Sequence, residues 1–382
     1  MNDRPGGKVF RSGAAARLRR NKWAYASGVV LVSMYCCAIV AGFVAPYGVN
    51  ETHYKEPHDL RYHPPMRPTV LDADGFHWPP FVYGAVRSED GLSYREDRTR
   101  RYPLRLFVRG EEYGVLGGLL RWDVHLFGVE PPGRVFLFGT DQLGRDVFSR
   151  VLYGARVSLS VGLIGIVLSM SLGLLLGAIS GYAGGLADSI LMRTSEVVMS
   201  LPALYLIVVL GGLLPASLPS DVRYLLIVVF LSLLGWAGLS RVVRGMVLSI
   251  RENDYVVAAR ALGVGRARLL LRHVIPNTMS YVVVAATVSV PYYILGEVSL
   301  SFLGVGIKEP QASWGLMLSE AQSVTALTEF SWLLLPGAFV FLVVVCFNLL
   351  GDGLRDALDP KALSCGGPAG GAAAGAGLKR KC

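Results

Sequence analysis

Six mostly apolar runs, each long enough to cross a bilayer, restrict this chain more than any other feature. They fall at about 23–45, 158–182, 197–217, 223–245, 278–302 and 332–351. A hydrocarbon core about 30 Å thick needs about 20 apolar residues per helix. The expected fold class is therefore an all-α polytopic membrane protein with six transmembrane helices. Composition agrees: 52% of the 382 residues are hydrophobic and only 17% are charged, whereas soluble domains carry about 25% charged residues. The mean hydropathy is +0.46. The first run follows basic residues and ends at Ala45, as a secretory signal would, but it exceeds the roughly 7–15 residue apolar core of such signals.

The placement of charge sets the expected orientation. Arg4, Lys8, Arg11, Arg17, Arg19, Arg20 and Lys22 precede the first run, opposed only by Asp3. Short segments rich in Lys and Arg stay in the cytoplasm, so both termini of a six-span chain are expected there. The loops near 183–196 and 246–277 then face the cytoplasm too, and the second carries Arg251, Arg260, Arg266, Arg268 and Arg272. The stretch 46–157 faces outward despite its arginines, because long segments translocate largely regardless of charge. In a soluble protein a net charge of +9 would suggest nucleic acid; at membrane flanks it does not, and no nucleic-acid partner is expected.

The chain divides into a basic tail at 1–22, a first span at 23–45 and an insert at 46–139. A core at 140–360 follows, with five spans and the loop 246–277, and then a low-complexity tail at 361–382. A connection as long as the insert is expected to fold. Its first half, with HPPMRP and HWPP, reads as extended or irregular chain. In its second half, LRLFVRGEEYGV has β-favouring residues around a glycine and reads as a hairpin. A small β-rich extracytoplasmic subdomain is expected. Of the six histidines, five lie in this insert, with His53, His58 and His63 at even spacing. Five-residue steps fit neither a helix face nor a strand face, so surface histidines are expected rather than a metal site. The tail SCGGPAGGAAAGAGLKRKC has nothing to build a core and is expected to be disordered. Lys379, Arg380 and Lys381 at its end offer only a weak contact to anionic lipid. Cys36, Cys37 and Cys346 sit in apolar runs, Cys365 and Cys382 in the tail, and no spacing resembles a zinc site.

No GxxxxGK[ST] phosphate loop is present, nor HExxH, nor GxSxG, so the chain carries no recognisable catalytic, cofactor or metal constellation. Ionisable residues inside spans draw attention because they are expensive there. Glu297, in GEVSLSFLG, could line a pathway or serve as a satisfied structural carboxylate. Arg193 and Glu196, three apart, could pair on a helix surface.

The most unusual segment is DYVVAARALGVGRARLLLRHVIPN, residues 254–277. On a helix Val256, Ala259, Gly263 and Ala267 recur at steps of three and four, and such small residues admit the close approach of another backbone. Gly265 could divide the segment into two short helices. Leu269, Leu270, Leu271 and Val274 are expected to pack on the base of the membrane domain, with Pro276 opening the next span. Spacing alone leaves two readings open: a protrusion seated in a partner's groove, or a basic helix lying on lipid.

AARALG followed by RHVIPN resembles the EAA loop of ABC importer permeases. Ala258, Ala259 and Gly263 match that pattern, while Val257 stands where the family has Glu. FGTDQLGRDVFSRVLYGARVSL (138–159), LSFLGVGIKEPQASWGLMLSEA (300–321) and NLLGDGLRDALDP (348–360) resemble the C-type subunit of the oligopeptide and dipeptide permeases. The resemblance implies the type I ABC importer permease fold and a multi-pass place in the cell inner membrane. It implies a homologous second permease subunit, two cytoplasmic ABC ATPases that bind ATP and Mg, and an extracytoplasmic peptide-binding protein. No cofactor is implied in this chain. Asp254, Tyr255, Ala258, Ala259, Arg260, Leu262, Gly263 and Arg266 would form the ATPase-coupling site, and peptides would be imported by alternating access. Nickel complexes or another small solute on the same scaffold are an alternative cargo. An ATPase-independent channel or membrane scaffold is the alternative of another class.

Overall fold

A solvent that offers no hydrogen bonds forces apolar chain into helices that close their own backbone bonds. The computed structural model describes residues 16–53, 59–72, 74–88, 93–115, 120–215 and 217–358. His58, Cys365, Cys382 and the tail 361–382 lie outside the described residues, as does the chain before residue 16.

The helices are α1 (Lys22–Ile39), α2 (Ala41–Val44), α3 (Val147–Ala183), α4 (Gly185–Ser200), α5 (Ala203–Gly212) and α6 (Ser220–Ile250). They continue as α7 (Asp254–Ala261), α8 (Arg266–Leu269), α9 (Ile275–Phe302), α10 (Trp314–Ser319), α11 (Val324–Glu329) and α12 (Leu335–Leu358). Among the described residues five stretches are long and apolar enough to span a bilayer: Lys22–Ile39, Val147–Ala183, Ser220–Ile250, Arg266–Phe302 and Ser331–Leu358. The span expected at 197–217 is not one continuous helix. α4 and α5 meet at a bend of 82°, where Leu201 and Pro202 are extended and proline cannot continue a helix.

α3 and α6 run parallel and touch along a stripe of small residues. A Cβ on Gly173 would lie 3.0 Å from the Trp236 carbonyl oxygen, one on Gly177 2.5 Å from that of Ser240, and one on Gly181 2.8 Å from that of Arg244. Spacing of four puts all three glycines on one face, where backbone rests on backbone. α9 runs antiparallel against the other end of α3, where a Cβ on Gly162 or Gly165 would lie 2.7 Å from Ile294 or Tyr293. The shared core includes Leu159, Ile166, Ile227, Leu231, Ile294 and Val343. α1 lies along α12, with Gly28 facing Leu350.

The insert end is held by buried charges. Arg145 donates to Asp141 (2.7 Å), Glu309 (2.5 Å) and Glu320 (3.2 Å), and Arg150 donates to Asp141 and to Glu320 (2.9 Å). Both arginines and Asp141 are buried. Taking one partner away strands the others in low dielectric, which makes such a group a rigid joint. Residues 59–66 are bolted on beside it: Thr140 donates to the Leu60 carbonyl (2.5 Å) and accepts from His63 N–H (2.7 Å), and Tyr62 stacks on Phe330 at 4.2 Å.

The insert forms two antiparallel sheets, β1 (Thr69–Asp72) with β2 (Gly75–Arg87) and β3 (Tyr94–Pro103), and β4 (Arg105–Val115) with β5 (Leu120–Gly128). One expectation is narrowed and another changes. HWPP takes the extended of its two readings and lies inside β2. Its Pro79 and Pro80 fall where β2 has no β3 partner and where the β1 register shifts between Thr69 and Leu71, so no ladder N–H is lost. LRLFVRGEEYGV is one strand rather than a hairpin. Gly110 sits where the β4–β5 register shifts between Arg109 and Tyr113, and a Cβ there would lie 2.7 Å from the His125 ring.

The histidines are also not the surface groups expected. His53, His63 and His125 are buried, because the aromatic wall of Tyr47, Tyr94 and Phe136 closes over the first two. Among the described residues no three metal-ligating side chains gather. Burial pushes both His53 and His63 down to about 4. As pH falls from about 6.5 to 4 the unfolded chain takes up protons that the folded insert refuses, so stability is full above that window and is lost through it. The Asp146 carboxyl, buried and pushed up to about 7, runs the opposite way, so the effect must be read locally.

Two outcomes follow. Gly177→Leu should lower the thermal midpoint of the purified protein in detergent by overpacking worth about 1–3 kcal/mol, while Gly238→Ala, whose Cβ meets nothing within 4 Å, should leave it near wild type. Amide exchange at residues 59–66, corrected for intrinsic rate, should accelerate between pH 7 and 4.5, and His63→Leu should reduce that dependence.

Candidate functional site

The segment between α6 and α9 is built by two stops. α6 ends at Arg251, whose guanidinium donates to the Gly181 carbonyl at 3.0 Å and so ties the ends of α3 and α6 together. Asn253 is extended, and α7 then makes two turns from Asp254. Asp254 in its first turn and Arg260 in its last complement the helix dipole. Gly263 halts it at φ +80°. Gly263 N–H donates to the Arg260 carbonyl (3.1 Å) and Val264 N–H to that of Ala259 (3.2 Å), the paired bonds of a Schellman stop. A residue with a Cβ is strained in that conformation although the surrounding space is open. Gly265 opens α8, as its position suggested. One wider π turn at Leu270–Val274 follows, and Pro276 stands in the first turn of α9.

The structure redistributes the faces expected for this segment. Val256 is 2% exposed and packs with Leu239, Val243, Val247, Leu269 and Val274, with Ala259 and Val264 against the same cluster. Ala259 therefore faces this chain's own core, whereas Gly263 and Ala267 are exposed, and the four-residue stripe is split between two roles. The outward face of α7 consists of Asp254, Tyr255, Ala258 and Leu262, with Leu262 85% exposed. Val257, Arg260 and Arg266 are exposed beside it. Tyr255 is anchored while exposed: its hydroxyl accepts from Asn277 Nδ2 at 3.0 Å, and Asn277 also donates to the His273 carbonyl. Leu269 and Val274 are fully buried as expected and Leu270 partly so, but Leu271 is exposed, because the π turn rotates it off the packed face.

Sequence reasoning missed the joint next to this segment. Asp188, in the first turn of α4, accepts both Nε (2.5 Å) and Nη2 (2.6 Å) of Arg244, and Ser180 donates to the same carboxylate at 2.5 Å. Planar two-point pairing of this kind fixes orientation as well as distance. Gly184 and Gly185, both at positive φ, turn the chain between α3 and α4. The signal was present: Arg244 sits at the end of an apolar run, where a charge calls for a partner.

Glu297 has the surroundings of a satisfied structural carboxylate. It is fully buried and accepts from Ser158 and Ser301 at 2.8 Å each, and those hydroxyls in turn accept from the backbone N–H of Trp314 and Ile307. It joins α3, α9 and the loop before α10. Arg193 and Glu196 do pair, at 2.9 Å on an exposed face.

The segment is thus a two-turn protrusion locked on its inner side, with Asp254, Tyr255, Ala258 and Leu262 exposed on its outer side. Residues 173–364 match the family described as binding-protein-dependent transport system inner membrane component, and residues 10–65 match the N-terminal transmembrane domain of oligopeptide transport permease C. The chain belongs to this family of transport permeases. Among relatives of the permease, the oligopeptide transport system permease protein OppC of Bacillus subtilis is 41% identical over 61% of this chain and 74% of its own. The dipeptide transport system permease protein DppC of the same organism is 44% identical over 60% of this chain and 70% of its own. The glutathione transport system permease protein GsiD of Pectobacterium atrosepticum is 37% identical over 61% and 75%.

One outcome separates backbone strain from crowding at the stop. Gly263→Ala should destabilise the end of α7 by about 1–2 kcal/mol, read as faster amide exchange at 262–264. Gly265→Ala, at φ −61° with open space around its Cβ, should not.

Proposed function

We propose that this permease is one transmembrane subunit of an ATP-driven importer of peptides, powered by two ABC ATPases, one of which docks on its α7 segment. The observation that carries this is the outward face of Tyr255, Ala258 and Leu262 on a helix held from within by Val256 and Ala259. The relatives named for oligopeptides, dipeptides and glutathione support a peptide cargo. A second permease subunit would complete the pathway and an extracytoplasmic binding protein would deliver the peptide; ATP and Mg would reside on the ATPases. The bent pair α4–α5 would serve as the sixth span, both termini and α7 would be cytoplasmic, and the insert would lie outside.

In this arrangement a push on α7 reaches the spans through short rigid links. α7 packs on α6 and on the base of α9 through Val256, Leu239, Val243 and Val274, and Arg244 carries the motion to α4 through Asp188. Rocking of packed elements between two arrangements is the physical basis of alternating access. Glu297 would act as a structural pin in the core that rocks, rather than as a contact for cargo. Val257 in place of a carboxylate leaves the docking to apolar and small residues nearby.

The test is assembly with the partner proteins. Ala258→Trp and Leu262→Asp should abolish ATPase co-purification and peptide uptake in proteoliposomes while the permease still inserts and melts normally. Ala259→Trp should disturb the permease itself, because that side chain packs inward. Wild-type uptake by Leu262→Asp would sink the docking assignment, and uptake of a nickel chelate in place of peptide would replace the cargo.

A further inference from the structure

Transport gives no task to the β4–β5 hairpin, yet its position is specific. It leans on the turn that ends the first span. The Phe107 ring lies 6.3 Å from that of Phe43, His125 Nδ1 is 2.5 Å from the Ala45 carbonyl oxygen, and a side chain on Gly42 would collide with the Tyr113 ring. Trp122 stands opposite Tyr113 in the ladder. The hairpin is therefore level with the end of α1, where a spanning helix leaves the hydrocarbon.

At this level large apolar groups are uncovered. Leu106 is 69% exposed, Phe107 63% and Trp122 56%. Leu106 and Phe107 are consecutive, and a regular strand would send them to opposite faces. Phe107 breaks the alternation with φ +57°, a left-handed conformation that is costly for a bulky residue and that persists only where the surroundings impose it. The uncovered surface continues that of the span itself, since Ile39 and Val40 beside it are exposed as well. Most charges of the hairpin pair locally, Arg105 with Glu130 just beyond it, Arg109 with Asp123 and Arg121 with Glu112, leaving the Glu111 carboxylate beside them. A charged protein surface would find little net attraction here, whereas tryptophan and phenylalanine beside paired charges suit the boundary between acyl chains and headgroups.

We propose that the β4–β5 hairpin is a membrane-surface element, with Leu106, Phe107 and Trp122 seated in the lipid interface around the end of the first span. This rests on α1 crossing the bilayer. Through Tyr113 and His125 it would hold the insert at a set height above the pathway.

The test uses the full-length chain reconstituted in phosphatidylcholine vesicles. Subtracting the emission of Trp122→Phe isolates one indole of the six tryptophans. Lipid brominated high on its acyl chains should remove about half or more of the Trp122 contribution, and aqueous iodide should remove little. Quenching by iodide but not by bromolipid would place the indole in water and overturn the proposal; access by neither quencher would place a protein surface over it and overturn it equally. Phe107→Trp, compared with wild type, gives a second reporter with the same expected result should Trp122→Phe not fold. Trp23, exposed at the other end of α1, is the control: if bromolipid fails to reach it, the span itself is misassigned, a failure distinct from that of the hairpin.

Discussion

Three glycines one helical turn apart let α3 and α6 meet backbone to backbone, and much of the remaining architecture follows from that contact. Lipid tails are as apolar as leucine, so two helices gain nothing by merely hiding apolar side chains from each other in a bilayer. They gain by dense contact, and Gly173, Gly177 and Gly181 provide it against the carbonyls of Trp236, Ser240 and Arg244. The closeness brings Arg251 to the Gly181 carbonyl and sets Arg244 beside Asp188. It thus fixes the platform from which α7 projects.

The two ends of the bundle are held by different means. At the insert end, Asp141, Arg145, Arg150 and Glu320 form a buried ionic joint that Glu309 completes. At the other end the joint is lighter, one bidentate pair and an apolar cluster under α7. Positive-φ glycines at 184, 185 and 263 supply the turns at this end.

Much of the membrane fold was legible in the sequence because a bilayer demands long apolar runs that can be counted. Four of the expected runs fall within or overlap long helices, and α1 matches most of another. The third did not survive as a straight helix, since the count of apolar residues is blind to a Pro202 that breaks the run. The segment 254–277 stood out in the sequence through Ala258, Ala259 and Gly263. The inward turn of Ala259 was not, because which side of a two-turn helix is packed depends on where α6 and α9 arrive. The insert was the least legible: Gly110 reads as a turn when it is a register shift, and His53 and His63 read as surface groups until aromatic rings from distant positions close over them.

What the sequence determined by itself is whatever depends on local length, spacing and chemistry: apolar runs sized to a bilayer, a basic segment between two of them that glycine divides, and the motifs that identify the permease family. What only the tertiary structure decided is which side of each element is used. It turned Glu297 inward to two serines, joined Asp188 to Arg244 across 56 positions of chain, and left Leu106, Phe107 and Trp122 uncovered beside the first span. The physical reason is that burial belongs to pairs of elements rather than to one of them. A side chain's partner is fixed by the packing of helices and strands distant in sequence, and no periodicity within one segment encodes it.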